Sequence, residues 1–408
     1  MQFTLLAIGC ITLAIWLYLA LARGTFWRLR EFEDDTARHE ALRVWPPVVA
    51  VVPARNEAAT IAQALASLLK QDYPGEFSIV LVDDHSEDAT AQIARQAANE
   101  LQAESQITIH TAPPLPVGWT GKLWALSEGV NQAAVSALSN RRGAALLRPS
   151  SAANDLSEPT YFWFTDADIV HAPDTLRRLV SRAERDHLDL VSLMVLLQAK
   201  TLPERALIPA FLFFFLKLYP PRWIANSKAC TAGAAGGCIL LRTEALQRID
   251  GLAAIRHEVI DDCALASAVK RSNGCLWMGL TRASVSLRAY TTFGEIRDLI
   301  ARTAFSQLSY SPLLLFGTLL AMFLTYLAPI ALLFAHEPVP RILGASVWLL
   351  MSLLYLPTIR FYRLSPAWAA TLPLTALFYS YATLLSAVRY YLGRGAQWKG
   401  RSQAHHSM

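Results

Sequence analysis

The stretch at residues 161–170 constrains the fold more than any other part of the chain. It reads YFWFTDADIV, an apolar run of strand type that ends abruptly in two carboxylates, Asp166 and Asp168. In an open α/β sheet, ligands bind outside the carboxyl ends of the strands, which is where such a pair would lie. Two hard oxygen ligands suit Mg²⁺ or Mn²⁺, which fill their remaining positions with water and substrate phosphates. The stretch therefore predicts a metal-diphosphate site, and a surface turn is the alternative because Asp also favours turns.

Strand and helix patterns alternate on both sides of this stretch. Short apolar runs predict strands at residues 48–52, 77–82, 107–109 and 190–196. Apolar residues at helical spacing predict helices at residues 61–69, from about residue 87, and at residues 120–134 and 173–186. This alternation indicates an α/β fold built on a mainly parallel, doubly wound sheet. Residues 136–158 are rich in Ser, Ala and Asn without a clear period, so we predict a surface loop there.

An apolar run near the start of the chain predicts a membrane anchor. Residues 3–22 carry no charge and approach the length that a helix needs to cross the hydrocarbon core. Ala20-Leu21-Ala22 resembles a signal-peptidase site, but no positive charge precedes the run, and Arg23 and Arg28 follow it. That pattern favours a retained anchor over a cleaved signal peptide. The basic flank places the following domain on the cytoplasmic side.

Three more apolar segments lie at residues 313–335, 342–357 and 367–388. The first and third are long enough to span a bilayer, and the second is marginal. A shorter apolar segment at residues 206–218 fits either an interfacial helix or a buried core helix. Four spans from an outside N-terminus put the tail outside, whereas its basic residues favour the cytoplasm. These basic residues are Arg389, Arg394, Lys399 and Arg401.

The distribution of charge and apolar segments predicts domains and partners. We expect an anchor at residues 1–23, a globular domain at 44–300, an interfacial segment at 301–312, transmembrane helices at 313–391 and a basic tail at 392–408. The net charge is +5, and clusters of basic residues flank the apolar segments. Such flanks favour an anionic bilayer surface. Nucleic acid is not expected as a partner, because the sequence has no basic stripe with interleaved aromatic residues.

Several motifs follow one another in a fixed order between residues 48 and 307. Residues 53–57 read PARNE, residues 82–86 read VDDHS, and the acidic pair at residues 166 and 168 comes next. Asp261 and Asp262 complete the series. In this order the motifs resemble those of membrane-anchored family 2 glycosyltransferases, which have the fold called GT-A. The resemblance implies an inverting, metal-dependent sugar transfer from a nucleotide-sugar donor, with UDP as the expected nucleotide.

The resemblance assigns a role to each motif. It implies contacts with the nucleotide sugar at Pro53, Ala54, Arg55, Glu57, Asp83, Asp84, Lys122 and Asp166. Asp168 and Asp166 are the implied ligands of an Mg²⁺ or Mn²⁺ cofactor. A carboxylate at Asp83 or Asp84 can accept hydrogen bonds from a base or ribose, although such a turn could instead cap the next helix.

Lys122 and a loop of small residues are candidates for contacts with the reacting groups. Lys122 follows Gly121 in GWTGKLWA at residues 118–125, and its cation could lie against the diphosphate. A solvated lysine at a helix start is the alternative. Residues 231–237 read TAGAAGG and end in Gly236 and Gly237. They form either a mobile loop beside the acceptor or a close-packed backbone crossing.

Asp261 and Asp262 lie in a helical pattern with apolar residues after them. Adjacent helix positions point about 100° apart, so we expect only one of the two carboxylates to face the cleft. By the family's pattern this is Asp262, the general base that takes a proton from the acceptor hydroxyl, with Asp261 beside it near the acceptor. The family usually has Glu-Asp here, and Asp-Asp keeps the second carboxylate.

The last third of the chain bears on the acceptor. Residues 302–307 end in Gln307 and lack the Arg-Trp pair that many processive family members carry after the base. Trp398 opens a Trp-Lys-Gly-Arg run that resembles the tail of ceramide glucosyltransferase-type enzymes. The chain is most similar to the bacterial hopene-associated glycosyltransferases, which implies a hopanoid or other polyisoprenoid-derived lipid acceptor at the cytoplasmic membrane. A processive polysaccharide synthase and a non-catalytic membrane scaffold are the alternatives.

Overall fold

The strands and helices of the computed structural model follow the predicted alternation of β and α elements. The structure describes residues 2–29, 32, 42–147, 159–393, 397–398 and 401–402, and the side chains of residues 3–29, 32, 42–136 and 159–393. In chain order the elements are α1 (Gln2–Leu21), β1 (Val48–Ala54), α2 (Ile61–Leu69), β2 (Phe77–Asp83), α3 (Thr90–Glu100), β3 (Ile107–Thr111), α4 (Gly121–Leu147), β4 (Tyr161–Phe164), β5 (Ile169–His171), α5 (Thr175–Arg185), β6 (Leu190–Leu196), α6 (Leu202–Leu218), α7 (Pro221–Ile224), β7 (Ile239–Arg242), α8 (Thr243–Arg248), α9 (Asp261–Arg271), β8 (Leu276–Ser286), α10 (Phe293–Thr303), α11 (Pro312–Met322), α12 (Ala328–Leu332), α13 (Pro338–Phe361), α14 (Leu372–Tyr391), β9 (Gln397–Trp398) and β10 (Arg401–Ser402).

The chain divides into two compact units. The first, which we call the sheet unit, comprises residues 30–197, 224–288 and 398–408. The second, which we call the helical unit, comprises residues 1–29, 198–223 and 289–397. Each unit therefore draws on separate parts of the sequence.

Eight strands of the described chain form one sheet in the order β3-β2-β1-β4-β7-β6-β8-β5. Strands β3, β2, β1 and β4 are parallel to their neighbours, as are β6 and β8. Strand β7 is antiparallel to both β4 and β6, and β5 is antiparallel to β8. The sheet is thus mixed, but four of its seven strand pairs are parallel, which confirms the predicted α/β fold on a mainly parallel sheet. Pairing between strands that are distant in sequence leaves no local pattern. The position of β7 between β4 and β6 could therefore not be predicted.

The strands at the centre of the sheet are buried on both faces. Every residue of β1, whose sequence is VVAVVPA, is buried, and so is every residue of β4. Continuous burial of this kind is typical of parallel strands covered by helices on both sides. The pairs Ala54 with Asp83 and Val51 with Phe164 bring the carboxyl ends of β1, β2 and β4 to one edge of the sheet. The predicted site motifs follow these strand ends.

Helix α4 packs closely on β1 and β2 because it carries a glycine at the contact. A Cβ atom added to Gly129 would lie 2.2 Å from Cγ1 of Val51 and 3.1 Å from Cγ2 of Val82. No side chain larger than hydrogen fits at that distance. The close approach brings the first turn of α4, which includes Lys122, to the carboxyl edge of the sheet.

Two predicted elements of the sheet unit differ from the structure. Residues 136–147 continue α4, so the predicted surface loop at residues 136–158 is wrong for this part, and residues 148–158 lie outside the described residues. Ala and Leu in this region favour helix, and they outweigh its Ser and Asn. Helix α3 begins at Thr90, three residues later than predicted, because the backbone from Ser86 to Asp88 is held in a turn.

The helical unit contains the apolar segments. In the described residues, four helical segments are long and apolar enough to cross a membrane: Phe3–Leu21, Pro312–Leu332, Pro338–Phe361 and Pro366–Tyr391. The third, predicted to be marginal, is a helix of 24 residues. It exceeds the predicted segment by four residues at each end, because the helix begins at Pro338 and continues past Pro357. Helix α6, at the predicted segment 206–218, buries most of its apolar side chains within this unit, as expected of a core helix.

Pro329 and Trp16 explain the interruption between α11 and α12. Pro329 has no backbone N–H, so it cannot donate to the carbonyl of Thr325 four residues before it. The indole Nε1 of the buried Trp16, in α1, donates to that carbonyl at 2.7 Å. The Trp16 ring also meets Tyr326 edge to face, with ring centroids 5.6 Å apart. A π-helical turn at Phe323–Leu327 accommodates the interruption between α11 and α12.

Candidate active site

The loops that follow β1 and β2 are fastened to each other by Arg55. Its Nη1 donates to the carbonyl oxygens of Asp84 at 2.5 Å and His85 at 3.0 Å. The same atom lies 4.0 Å from the carboxylate of Asp84, and both side chains are buried. Burial of this acid and base together avoids an uncompensated charge. Arg55 and Asp84 therefore fix the shape of the loops at this edge.

Hydrogen bonds between short polar side chains and backbone groups continue this connection. The backbone N–H of Asn56 donates to Oγ of Ser86 at 3.0 Å, and the N–H of Glu57 donates to Oγ1 of Thr90 at 2.8 Å. Asp83, which is buried, accepts from the N–H of Ser86 at 3.2 Å and from its hydroxyl at 2.5 Å. Asp83 thus stabilises a turn rather than the start of α3. Nucleoside binding by Asp83 and Asp84 stays a prediction.

Lys122 connects three motifs of the sequence in one cleft. Its Nζ lies 2.8 Å from Oδ1 of Asp166 and 3.2 Å from Oδ2 of Asp261. Pro53, Asp262 and Gly236 line the same cleft, with apolar side chains behind them. Burial alone would lower the pKa of Lys122, but the charges of Asp166 and Asp261 outweigh it and hold the pKa above its ordinary value. Lys122 is therefore a fixed cation at the centre of the cleft.

Asp262 is held by backbone donors on both carboxylate oxygens. The N–H of Gly236 donates to Oδ2 at 2.8 Å, and the N–H of Cys263 donates to Oδ1 at 2.7 Å. Burial and the negative charge of Asp261 raise the pKa of Asp262 to about 6, against the lowering effects of Lys122 and the two N–H groups. A carboxylate with this pKa is a more effective proton acceptor near neutral pH than an ordinary Asp.

Both carboxylates of the Asp261-Asp262 pair line the cleft, so the expectation that only one would face it is wrong. The two residues are the first of α9, after Ile260, whose backbone is not helical. Adjacent side chains of a helix diverge by about 100°, but each of these two carboxylates finds its own partner in the cleft. Lys122 meets Asp261 and the N–H of Gly236 meets Asp262.

The loop of small residues at 231–237 packs closely where it passes the cleft. A Cβ atom on Gly236 would lie 3.0 Å from Nζ of Lys122 and 3.4 Å from Oδ2 of Asp262. A Cβ atom on Gly237 would lie 3.1 Å from Cγ2 of Val195. The observed contacts agree with the close-packed alternative. A side chain at Gly236 would take space beside the two charged groups.

A buried histidine lies behind the acidic pair and was not among the predicted site residues. Thr165 directly precedes Asp166, and its hydroxyl donates to the carbonyl of Gly237 at 3.0 Å. Since that hydroxyl has one proton, it accepts from Nε2 of His171 at 2.8 Å, and Nδ1 accepts from Ser284 at 2.8 Å. Burial lowers the pKa of His171 to about 3, so the ring is neutral. The sequence does contain one signal for this site: His171 is a polar residue at the end of an otherwise apolar strand.

The acidic pair offers ligands that suit a divalent cation. Asp166 is 35% exposed towards the cleft, and Oδ2 of Asp168 accepts from Oγ of Ser286 at 3.4 Å. The part of the chain that the structure describes contains no group of three or more potential metal ligands. Mg²⁺ is commonly bound by one or two carboxylates, with waters and substrate phosphates completing the coordination. The residues therefore fit that mode of binding.

Gln307 and Trp398 are predicted to lie near the acceptor, and Gln307 is not among the residues that line this cleft. Gln307 belongs to the helical unit, where its Oε1 accepts from the hydroxyl of Tyr219 at 3.0 Å. The backbone of Trp398 lies in β9, which pairs with β10, and its side chain lies outside the described residues. Roles for Gln307 and Trp398 towards an acceptor remain predictions.

The sequence and the cleft agree with a known family of enzymes. Residues 46–287 match the family described as "Glycosyltransferase like family 2". Because this match covers more than half of the chain, the chain belongs to that family of glycosyltransferases, which act on nucleotide-sugar donors. A comparison with curated proteins finds no significant match.

Solved structures include similar chains at low sequence identity. Mannosyltransferase PcManGT from Pyrobaculum calidifontis, in complex with GDP-Man and Mn²⁺, has a TM-score of 0.54 at 17% identity, and the match covers 94% of this chain and 99% of that chain. For TarS of S. aureus the TM-score is 0.39 at 17% identity, covering 78% of this chain and 44% of that chain. The first likeness confirms the predicted GT-A fold.

Proposed function

We propose that this glycosyltransferase moves a sugar from a UDP-linked donor to a lipid in the membrane, with inversion at the anomeric carbon. The observation that carries the proposal is the cleft in which Lys122, Asp166 and Asp262 meet at the carboxyl edge of the sheet. It combines a cation for a diphosphate with a buried carboxylate suited to accept a proton. The family match supplies the reaction class.

Asp262 is the general base in this proposal. The N–H groups of Gly236 and Cys263 hold its carboxylate in one orientation. Asp262 takes the proton of an acceptor hydroxyl while that oxygen forms a bond to the anomeric carbon. The bond from that carbon to the diphosphate breaks, and its electron pair leaves with the diphosphate. One displacement from the opposite side inverts the configuration. General base catalysis of this kind contributes about 10²–10⁴-fold.

The donor is bound by the charged groups around Lys122. Lys122 is the proposed contact of the diphosphate oxygens, which its cation within the acidic cleft supports. Asp83 and Asp84 are the proposed contacts of the nucleoside. A divalent cation on Asp166 and Asp168 would balance the charge that develops on the leaving group. The presence of Mn²⁺ and GDP-Man in the PcManGT structure supports a metal-dependent nucleotide-sugar site.

The proposed acceptor is a lipid because the chain carries four helices that could cross a membrane. The likeness to hopene-associated glycosyltransferases makes a hopanoid or another polyisoprenoid-derived alcohol the first acceptor to test. A location in the cytoplasmic membrane, with the sheet unit on the cytoplasmic side, follows from the basic flank of the first span.

The test uses the purified full-length protein in detergent with Mg²⁺ or Mn²⁺, a panel of nucleotide sugars and extracted membrane lipids. We expect metal-dependent formation of a glycolipid that carries one sugar, with the anomeric configuration inverted. Asp168→Asn should raise the metal concentration needed for half-maximal activity. A polymeric product would favour a processive synthase, and a folded protein that binds no nucleotide sugar would favour the scaffold alternative.

A further inference from the structure

The helical unit contains a cluster of cations where two of its segments meet. Nε of Arg23 donates to the carbonyl of Lys217 at 3.0 Å, and its Nη2 donates to that of Leu218 at 3.3 Å. The Arg23 guanidinium also lies over the ring of Trp223, 4.6 Å from its centroid. Arg222, which is exposed, donates to the hydroxyl of Thr25 at 3.3 Å. We call Arg23, Lys217 and Arg222 the cation cluster.

Lys217 is the most enclosed member of the cation cluster. Its Nζ donates to the hydroxyl of Tyr326 at 2.9 Å and lies 5.0 Å from the centroid of that ring. The Phe214 ring is on another side, 5.1 Å away. Burial and the nearby positive charge of Arg23 lower the pKa of Lys217 to about 8. An ammonium group in these surroundings is stabilised by an anion that completes its coordination.

None of the ion pairs among the described residues includes Arg23, Lys217 or Arg222. Two acidic residues of the helical unit, Glu204 and Asp298, have other partners. Glu204 accepts from the backbone N–H groups of Lys200, Thr201 and Tyr290. Asp298 pairs with Arg297 and Arg389. Within the residues that the structure describes, the charge of the cation cluster is therefore not balanced by an ion pair.

The cation cluster lies at one end of the first candidate span. Arg23 comes two residues after Leu21, the last residue of α1. The first half of α1 contacts α12 and α13, since a Cβ atom on Gly9 would lie 2.8 Å from Leu343 and 3.6 Å from Leu332. Cations at the end of a spanning helix lie at the level of lipid headgroups, and basic pockets between such helices bind anionic headgroups.

We propose that the cation cluster binds the phosphate group of an anionic membrane lipid. Arg23 and Arg222 contact the phosphate from the headgroup side, and Lys217 contacts it from the side of Tyr326. Phe214 covers Lys217 and Trp223 covers Arg23, so these aromatic rings shield the two cations from water. Shielding from water strengthens the attraction of a cation to a phosphate. This lipid is a bound partner of the helical unit, and the proposal does not depend on the identity of the sugar acceptor.

The experiment titrates phosphatidylglycerol, phosphatidylcholine and inorganic phosphate against the full-length protein in detergent, and follows bound lipid by native mass spectrometry. The variants are Lys217→Met, Arg23→Gln and Arg222→Gln, with Lys217→Arg as the charge-conserving substitution. Arg341→Gln is the matched control, because Arg341 is an exposed cation at the start of α13, where it donates to the carbonyl of His336.

We expect phosphatidylglycerol to bind more tightly than phosphatidylcholine and each neutral variant to bind it roughly five-fold more weakly. Lys217→Arg and Arg341→Gln should keep the wild-type affinity within two-fold. Equal binding of the two lipids, or unchanged affinity in all three neutral variants, would overturn the proposal. Displacement of phosphatidylglycerol by equimolar inorganic phosphate would also overturn it, since the site would then select the free ion. If Lys217→Met does not fold, exposed Arg222 still provides the test.

Discussion

At the scale of single residues, the chemistry of the cleft depends on how three carboxylates share one ammonium group. Lys122 pairs with Asp166 and Asp261, whereas Asp262 is held by backbone N–H groups instead. Burial and the negative charge of Asp261 raise the pKa of Asp262, and the lowering effects of Lys122 and the two N–H groups do not outweigh them. The proposed proton acceptor, Asp262, is therefore the carboxylate with which Lys122 makes no ion pair.

The raised pKa of Asp262 predicts an acid limb in the pH profile. A base must be deprotonated to act, so kcat/KM should fall about tenfold per pH unit below about pH 6. Asp261→Asn removes a negative charge that raises this pKa, and should move the acid limb to lower pH. The measurement is kcat/KM against pH at fixed metal concentration. An acid limb that stays in place or moves to higher pH in Asp261→Asn contradicts the assignment.

Gly236 predicts a steric effect on the same groups. In Gly236→Ala the new methyl group would lie 3.0 Å from Nζ of Lys122 and displace the ammonium from the cleft. Because misplacement by about 1 Å can cost 10²-fold in rate, we expect kcat to fall by about 10–100-fold. Gly317→Ala is the control, since its added Cβ atom meets no described atom within 4 Å. Equal activity of the two variants would show that the contact at Gly236 is unimportant.

At the scale of elements, much of the secondary structure follows from local patterns, but the contacts of the site do not. The strand at Leu190–Leu196 has the predicted bounds, because an apolar run between charged residues is a strong local signal. The contact between Lys122 and Asp261 joins residues far apart in sequence and depends on how α4 and α9 end at the same edge. The hydrogen bonds of His171 likewise join three strands or strand ends, and no spacing rule reveals them.

The hydrogen bond between α1 and the π-helical turn at Phe323–Leu327 predicts a loss of stability when it is removed. Trp16→Phe leaves the carbonyl of Thr325 without the indole donor that replaces the missing N–H of Pro329. A buried acceptor left unsatisfied costs about 1–3 kcal/mol, so the melting temperature in detergent should fall by several degrees. Trp124→Phe is the control, because Trp124 donates to the carbonyl of Pro113 at an exposed position of the sheet unit, where water can replace the indole. If Trp16→Phe and the wild type have equal melting temperatures, the proposed role of Trp16 is wrong.

At the scale of the whole molecule, the apolar segments predicted four possible spans, and the described residues contain four helical segments of the required length. Their separation from the alternating β and α patterns also indicated where the sheet would form. The division into two units was less visible, since residues 198–223 join the helical unit although strands lie on both sides of them in sequence. Long-range packing of α6 determines that assignment.

The proposed orientation in the membrane predicts which residues are reached from outside the cell. Cys275 is exposed in the sheet unit and should stay unlabelled by an impermeant maleimide in intact cells. Glu337→Cys, between the second and third candidate spans, should be labelled in the same cells. Both tests use a protein in which Cys10 and Cys230 are replaced by Ser, because these cysteines are also exposed. As a control, the same reagent should label Cys275 after the cells are lysed. The reverse pattern of labelling would contradict an inward-facing catalytic unit.

The most direct test of the account is the turnover of Asp262→Asn in the presence of the donor that the wild type uses. We predict that kcat falls by about 10²–10⁴-fold, while the dissociation constant of the nucleotide sugar stays within about three-fold, because Lys122 and Asp166 remain. Asp250→Asn, an exposed substitution of the same type in the sheet unit, should match the wild type. Turnover within ten-fold of the wild type in Asp262→Asn, with the protein folded, would show that Asp262 is not the base.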